Sequence, residues 1–352
     1  MNIIRLIFLA PLGILYGLIA LIRRRLYEGN ASRRFISTLP TICIGNLAVG
    51  GTGKTPHVEY LVRLLSSQYR VATLSRGYKR QTEGFLSTHQ NQNLTAEEIG
   101  DEPMQMHAKF PEMEVTVCEQ RKEGLIRLQA SGSHPDVVLL DDAYQHLKVH
   151  CGLNILLTDF SCPYWRDFPL PAGNLREFRS AAKSADVVVV TKSPADLTQE
   201  EASVFARKNG LHQQKHLFFS TYQYEKPVPL TPSSADFRFN GQTHILLLTG
   251  IANPQPLLSH LRNQFSDIEH VSFPDHHQFT EDEIDRLCQK LAKYGGNSVV
   301  LTTEKDAMRL QSGNLKKIVS LHPFFAIPIK VEFLFDSVKE FNKIIIDYVA
   351  KN

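Results

Sequence analysis

A short glycine-rich string near the N-terminus places the tightest constraint on the fold of this chain. Residues 48–55 read Ala-Val-Gly-Gly-Thr-Gly-Lys-Thr, and they stand between a β-rich run, Thr41–Gly45, and a helical pattern, Thr55–Ser67. A string of this kind folds as a phosphate-binding loop when a strand precedes it and a helix follows it. The sequence therefore predicts a P-loop at the carboxyl end of a strand in a mostly parallel sheet.

The residue types of this loop suit the binding of a nucleoside triphosphate and Mg²⁺. Glycines let consecutive backbone N–H groups point at phosphate oxygens, and the positive end of the next helix adds to this field. Lys54 is expected to reach the β- and γ-phosphates as a binding and catalytic residue, and Thr55 offers a hydroxyl to Mg²⁺. Ala48 replaces the first glycine of the usual pattern, and the later glycines keep the loop geometry possible. The predicted nucleotide contacts are Val49, Gly50, Gly51, Thr52, Gly53, Lys54 and Thr55.

A second signal is an apolar strand that ends in two carboxylates. Residues 137–142 read Val-Val-Leu-Leu-Asp-Asp, and the apolar run is typical of a parallel strand that is covered on both faces. P-loop proteins need an acid at such a strand end to hold Mg²⁺ or one of its waters. We therefore predict Asp141 and Asp142 as metal-site residues, and their spacing does not decide which of them contacts the ion.

Apolar runs and helical patterns alternate from Thr41 onward, which predicts an α/β fold. We expect a P-loop NTPase-like α/β/α sandwich at 35–215, an extended linker at 216–242 and a second, smaller α/β/α domain at 243–352, after an N-terminal helix at 1–34. The predicted strands are Thr41–Gly45, Tyr69–Leu74, Glu114–Cys118, Asp136–Leu140, Asn154–Thr158, Asp186–Thr191, His244–Thr249, Glu269–Phe273, Ser298–Thr302 and Phe325–Val331, with a further strand at Phe218–Tyr224 in the linker region. The predicted helices are Thr55–Ser67, Gln199–Asn209, Pro256–Gln264, Glu281–Lys293 and Val338–Tyr348.

The N-terminal helix is predicted to associate with a membrane. Leu6–Ile22 is an unbroken run of apolar, Gly and Pro residues, and its 17 residues are at the short limit for crossing a bilayer. The three arginines that follow, at 23–25, argue against a cleaved signal peptide, which would end in small residues. Spanning the bilayer and lying along its surface both stay open. If the helix spans, the positive-inside rule places the rest of the chain in the cytoplasm. If it lies along the surface, the same arginines bind anionic headgroups, and the rest of the chain is again expected to face the cytoplasm.

The distribution of charge and cysteine excludes other classes. The chain carries a net charge of +3, and the arginine-rich segment 1–34 is more positive than the whole, so the remainder is mildly acidic. Such a body lacks the broad basic face that nucleic-acid binding needs, and no nucleic-acid partner is expected. The five cysteines include no C-x-x-C pair, which argues against a disulfide framework and fits a reducing compartment.

Seven strings, in order along essentially the whole chain, resemble the tetraacyldisaccharide 4′-kinases, the lipid A 4′-kinases of Gram-negative bacteria. One string departs from the family, because Ala143 and Tyr144 stand where Gly and Phe are common. The matching strings are IGNLAVGGTGKTP at 44–56, SRGY at 75–78, GDEP at 100–103, DDAYQH at 141–146, LPAGNLRE at 170–177, FPDH at 273–276 and TEKD at 303–306.

This resemblance implies a kinase that uses ATP and Mg²⁺ to phosphorylate the 4′-hydroxyl of a tetraacyldisaccharide 1-phosphate, a lipid A precursor, at the cytoplasmic face of the inner membrane. It implies Asp101 as the catalytic aspartate and His276 as the histidine that pairs with it. Glu177 is implied as an additional Mg²⁺ contact. Arg76 and Arg121 are candidates for binding the triphosphate or the phosphate of the substrate.

The residues by themselves leave two other functions open. One is a membrane-tethered P-loop NTPase switch that acts on a protein partner, and the other is a membrane scaffold with a relict P-loop. The Asn-Lys-x-Asp string of GTP-binding switches is absent, and residues 191–194, Thr-Lys-Ser-Pro, match it poorly. We interpret Thr191 and Lys192 as a plain strand end. The TEKD string at 303–306 is expected to cap a helix, and no chemistry is assigned to it.

Overall fold

The computed structural model describes residues 3–211, 216–275 and 277–352, with side chains from Phe8 onward. The strands are β1 Phe35–Ile36, β2 Thr41–Asn46, β3 Val71–Ser75, β4 Leu86–Ser87, β5 Glu114–Val117, β6 Val137–Asp141, β7 Val149–His150, β8 Leu153–Asp159, β9 Val187–Thr191, β10 Leu217–Tyr224, β11 Val228–Pro229, β12 His244–Thr249, β13 Ile268–Ser272, β14 Ser298–Thr303, β15 Phe324–Ile327 and β16 Ile329–Phe333. The helices are α1 Ile3–Glu28, α2 Lys54–Leu65, α3 Ala96–Ile99, α4 Asp101–Lys109, α5 Arg121–Gln129, α6 Gln199–Lys208, α7 Gln255–Arg262, α8 Glu281–Ala292, α9 Glu304–Leu310, α10 Leu315–Val319 and α11 Val338–Lys351.

The larger sheet places the strand that precedes the P-loop at its centre. Among the described residues it contains nine strands in the order β16-β10-β9-β8-β2-β6-β3-β5-β4, parallel except at the two edges. Apolar side chains of α2 and α11 cover one face, and those of α5 and α6 cover the other. The α/β/α sandwich predicted from the alternating pattern is therefore present. Because β2 lies between β8 and β6, the carboxyl ends of these three strands meet beside the P-loop.

A smaller sheet forms the second unit. Its described strands run β11-β15-β14-β12-β13, and all neighbours are parallel except β11 and β15. The helices α8, α9 and α10 pack on one face and α7 packs on the other. This unit is the predicted second α/β/α layer structure, built around the apolar strand His244–Thr249.

The chain changes sheets at Pro328, where the sequence predicts one continuous strand over Phe325–Val331. Proline has no N–H group to donate to a ladder, and the run divides there into β15 of the smaller sheet and β16 of the larger sheet. Helix α11 then packs Phe341 and Ile345 into the core of the larger sheet. The predicted second domain at 243–352 therefore returns to the first unit at its C-terminal end.

Other differences from the prediction concern short elements. The strand predicted at Phe218–Tyr224 is present as β10. It belongs to the larger sheet and not to an extended linker at 216–242, because Leu217–Phe219 pair with β9. Helices α3, α4, α5 and α10 are absent from the prediction. Each spans nine residues or fewer, which is too short for a clear helical period in the apolar residues. Asp101 is the first residue of α4.

Helix α1 packs on the larger unit along a face of small residues. A Cβ on Gly13 would lie 2.8 Å from the carbonyl oxygen of Pro169, and one on Gly17 would lie 2.6 Å from the ring of Phe178. Glycine at both positions permits this close approach. Two turns further on, Arg24 is buried on the same face. Within the described ranges, no helix has both the length and the apolar character needed to cross a bilayer.

Candidate active site

The glycine-rich string forms a loop between β2 and α2, as predicted. Gly50 and Gly53 have φ values of 112° and 86°, which non-glycine residues rarely adopt. At Gly53 a Cβ would also lie 1.8 Å from the hydroxyl oxygen of Tyr222. Asn46, the last residue of β2, donates from Nδ2 to Thr52 Oγ1 at 2.8 Å and so ties the two ends of the loop together. The loop therefore requires glycine for conformation and for space.

Two residues at the end of β9 hold the P-loop from the side. Thr191 Oγ1 donates to the carbonyl oxygen of Thr52 at 2.9 Å, and the Lys192 ammonium donates to that of Gly51. Lys192 also contacts Asp159 Oδ2 at 2.8 Å. The interpretation of Thr191 and Lys192 as a plain strand end is incomplete, because both side chains contact the loop. Their position at the end of a parallel strand that follows a P-loop could have indicated these contacts.

The LPAGNLRE string runs beside the opposite side of the loop. The Val49 N–H donates to the carbonyl oxygen of Asn174 at 2.8 Å, and the Arg176 N–H donates to that of Leu47 at 2.7 Å. The Arg176 guanidinium reaches on to Asp142 Oδ1 at 2.9 Å. This string therefore fixes the start of the P-loop and supplies a cation to the site.

The two carboxylates after β6 have opposite electrostatic environments. Asp142 lies 3.7 Å from Lys54 Nζ and is bonded by Arg176. Burial by itself would raise its pKa, but these two cations outweigh burial and lower it. Asp141 is 9% exposed, and its Oδ1 has no hydrogen-bond partner. Burial, followed by the nearby Glu102 carboxylate, raises the pKa of Asp141 to about 7, although Lys54 opposes the rise. Asp141 is thus the acid that forms no ion pair among the described residues.

The oxygen atoms beside the P-loop suit magnesium. Asp141 Oδ1 and Asn46 Oδ1 are both buried without a hydrogen-bond partner, and a buried oxygen of this kind is costly unless a donor or a cation reaches it. Mg²⁺ prefers oxygen ligands and binds through few protein groups together with substrate phosphates. The described residues contain no cluster of three or more His, Cys, Asp or Glu that could hold a metal, and a site completed by phosphate needs none.

Glu177, the predicted additional Mg²⁺ contact, is bonded to helix α1 in this structure. Its buried carboxylate accepts a 2.6 Å hydrogen bond from Arg24 Nε of α1, and Arg24 also donates to the carbonyl oxygen of Tyr144 at 3.1 Å. Adjacent side chains of the string point in different directions, so Arg176 reaches the P-loop acids and Glu177 reaches α1. Glu177 thus forms an ion pair with α1 in this structure, and its expected Mg²⁺ contact stays a prediction.

The two candidate phosphate-binding arginines differ. Arg121 is fully buried and donates to the carbonyl oxygens of Cys118 and Asp141 at 2.7 and 3.1 Å. Burial lowers its pKa, although the charges of Asp141 and Asp142 oppose this. Arg121 therefore supports the end of β6, and its predicted phosphate contact stays a prediction. Arg76 follows β3 and is exposed, so its predicted role stays a prediction.

Asp101 lies at the start of α4, between the two units. Its Oδ2 accepts a 2.9 Å hydrogen bond from Arg309 Nε of α9 in the second unit. The next residue, Glu102, is close enough to Asp141 to raise its pKa. One turn of helix therefore joins the P-loop acids to the second unit. His276, the predicted partner of Asp101, lies outside the described residues. Arg309 and Arg176 were not predicted as site residues. Their positions in the chain could have indicated them, because Arg176 lies within the LPAGNLRE string and Arg309 follows the TEKD string.

Known proteins with similar sequences and folds point to one activity. The family model described as tetraacyldisaccharide-1-P 4′-kinase matches residues 5–350. A tetraacyldisaccharide 4′-kinase of Flavobacterium johnsoniae is 42% identical over 100% of this chain and 99% of its own length. The enzyme of the same name from Bacteroides thetaiotaomicron is 41% identical over 98% and 93%. A crystal structure of LpxK from Aquifex aeolicus in complex with ATP has a TM-score of 0.73 and 30% identity, covering 97% of this chain and 98% of that one.

Proposed function

The chain belongs to the tetraacyldisaccharide-1-P 4′-kinase family, and we propose that it transfers the γ-phosphoryl group of ATP to the 4′-hydroxyl of a tetraacyldisaccharide 1-phosphate, a precursor of lipid A. The observation that carries this proposal is the arrangement of Lys54, Asp141 and Asp142 at the P-loop, with Asp142 3.7 Å from the Lys54 ammonium. A magnesium–nucleotide site needs a lysine for the phosphates and an acid for Mg²⁺. Here Lys54 is paired with Asp142, and Asp141 forms no ion pair among the described residues.

Different residues of the site have different roles in phosphoryl transfer. The transition state is loose, so positioning and charge stabilisation supply most of the catalysis. Backbone N–H groups of the P-loop and Lys54 bind the phosphates, while Arg176 holds Asp142 in place. Thr55 and Asp141 would hold Mg²⁺, which neutralises phosphate charge when it is bound.

Asp101 is proposed to orient the acceptor hydroxyl and to take its proton late in the transfer. It stands one residue before Glu102, which is electrostatically linked to Asp141. The carboxylate is therefore near the P-loop acids without being part of them. His276 keeps its proposed role as the partner of Asp101, and Arg76 its proposed role as a phosphate contact.

We also propose that α1 lies along the cytoplasmic surface of the inner membrane. Six large apolar residues are 51–75% exposed on the side opposite Gly13 and Gly17. Their spacing of three and four residues forms one stripe, about 27 Å long at 1.5 Å per residue. The exposed arginines Arg23 and Arg25 flank the C-terminal end of the stripe, as in helices that insert between anionic headgroups. The stripe consists of Phe8, Leu12, Leu15, Ile19, Ile22 and Leu26.

This orientation brings the site to its substrate. The acyl chains of a lipid disaccharide remain in the bilayer while the sugar hydroxyl stands in the headgroup region. An enzyme held at that surface meets the hydroxyl at a high effective concentration. ATP is supplied from the cytoplasm, which is the side of the membrane on which the proposed orientation places the site.

Phosphorylation of the lipid tests the proposed activity. The full chain is incubated with MgATP and tetraacyldisaccharide 1-phosphate in detergent micelles, and the lipid is analysed by mass spectrometry. We expect one added phosphate, and ATP consumption that depends on the lipid. ATP hydrolysis at the same rate without the lipid, and no phosphorylated lipid, would instead identify the NTPase switch.

A further inference from the structure

The second unit reaches Asp101 through one buried arginine. Arg309 of α9 is 2% exposed, and its Nε donates to Asp101 Oδ2 at 2.9 Å. The two residues are separated by 208 positions in the chain and belong to different units. Arg309 contacts the Oδ2 atom of Asp101, so Oδ1 is not bonded by this guanidinium. The guanidinium therefore restrains the Asp101 carboxylate through Oδ2.

The smaller sheet holds this guanidinium rigidly through Asp306. Asp306 is 0% exposed, and its Oδ1 accepts from Arg309 Nη1 at 3.0 Å. Its other oxygen accepts from the Gly250 N–H at 3.0 Å and from Thr303 Oγ1 at 2.8 Å. Gly250 and Thr303 stand at the ends of two neighbouring strands, β12 and β14. The TEKD string, to which no chemistry was assigned, thus fixes Arg309.

The same guanidinium also contacts the segment that carries the second predicted catalytic residue. Arg309 Nη1 donates to the carbonyl oxygen of His277 at 3.1 Å, and His277 directly follows His276 in the chain. A planar guanidinium with five donors can bridge two acids and a carbonyl in this way, whereas an ammonium cannot match the geometry. Arg309 therefore joins α4 of the first unit to the loop after β13 of the second.

From these contacts we propose that Arg309 is a positioning residue for phosphoryl transfer. It fixes the Asp101 carboxylate for the acceptor hydroxyl and holds the His277 segment beside it, and Asp306 keeps the guanidinium in place. Because Asp306 shares the positive charge, Asp101 is not the sole counter-ion of Arg309. This inference rests on the proposed function, specifically on the role of Asp101 in lipid phosphorylation.

A double-mutant cycle tests whether Arg309 acts through Asp101. Initial rates of lipid phosphorylation are measured for R309Q, D101N and the double variant with radiolabelled ATP. We expect R309Q to lower kcat by roughly 30- to 100-fold, with KM for ATP changed by less than about twofold, because the P-loop is untouched. In the D101N background, R309Q should reduce the remaining rate by less than about threefold, since the residue through which it acts is already missing.

Two further variants separate positioning from structural support. R309K keeps the charge and should recover part of the rate lost in R309Q. Arg286→Gln replaces an exposed arginine of the same unit and should leave kcat, KM and thermal unfolding unchanged. Should R309Q fail to fold, the cycle is run with R309K, for which we expect a loss in kcat of about five- to twentyfold.

The outcomes distinguish this inference from the proposed function. If D101N retains the wild-type rate, the role assigned to Asp101 is wrong, and the proposed mechanism fails with it. If D101N is slow but R309Q lowers its rate by the full 30- to 100-fold, Arg309 acts independently of Asp101 and the inference is overturned. A loss in R309Q that follows thermal unfolding alone, with no recovery in R309K, also overturns it.

Discussion

Arg24 Nε donates a 2.6 Å hydrogen bond to Glu177 Oε2, and this buried pair joins the N-terminal helix to the string that runs beside the P-loop. The arginine cluster at 23–25 therefore has two functions, since Arg24 faces the protein and its neighbours face solvent. Because Arg176 is bonded to Asp142, the position of α1 is linked through two consecutive residues to the acids of the site.

Replacing Arg24 should destabilise the protein much more than replacing Arg23. Arg24→Met leaves the Glu177 carboxylate buried without its partner, which should lower the free energy of unfolding by about 2–4 kcal/mol. Arg23→Met removes an exposed arginine and should change it by less than about 0.5 kcal/mol. Urea denaturation in detergent measures both values. Equal effects in the two variants would contradict a structural role of the ion pair.

Lys54→Ala should abolish turnover. The substitution removes the cation that lies 3.7 Å from Asp142 and that contacts the transferred phosphate in the proposed mechanism. A loss in kcat of at least about 10³-fold is expected from an electrostatic contribution of this kind. Lys208→Ala, on the exposed side of α6, is the matched control and should be fully active. Substantial lipid phosphorylation by Lys54→Ala would remove the P-loop lysine from the mechanism.

Asp141 and Asp142 should respond differently to the same substitution. Asp141→Asn removes a buried carboxylate that has an unbonded oxygen, so nucleotide-free protein in EDTA should become more stable, by about 1–2 kcal/mol. Asp142→Asn breaks the contacts with Lys54 and Arg176 and should not stabilise. Both variants should lose at least about 10²-fold in kcat. Thermal unfolding measures the stability of both variants, and initial rates measure their kcat. Stabilisation by Asp142→Asn and not by Asp141→Asn would reverse the roles assigned to the two acids.

Polar substitutions in the stripe of α1 should release the protein from lipid surfaces. Changing Leu15, Ile19 and Ile22 together to Gln removes at least about 3 kcal/mol of apolar burial in the membrane, or about a 100-fold loss in partition. Co-sedimentation with vesicles of anionic lipid measures this. The control places Gln at Ile126, Val228 and Leu321, which are exposed apolar residues elsewhere.

Unchanged co-sedimentation of the stripe variant would mean that another surface anchors the chain. A change from a larger to a smaller oligomer in solution, with no effect on vesicle binding, would mean that the stripe contacts a second copy.

Much of the fold could be predicted because its signals are local. The strand His244–Thr249 has the predicted bounds, and Thr280 caps α8 with Glu283 as its capping-box partner. The P-loop likewise depends on residues that are adjacent in the chain. Its glycines, lysine and threonine determine a backbone conformation over a few residues, and the apolar strand that ends in Asp141 and Asp142 identifies the acids.

Only the tertiary structure decided which of these side chains meet. Asp101 contacts an arginine 208 positions away, Glu177 contacts α1 rather than a metal-binding acid, and the chain changes sheets at Pro328. The reason is physical. Propensity, capping and apolar period act over about ten residues, whereas the order of strands in a sheet is set by packing across the whole chain. Residues at the ends of parallel strands become neighbours through that order alone.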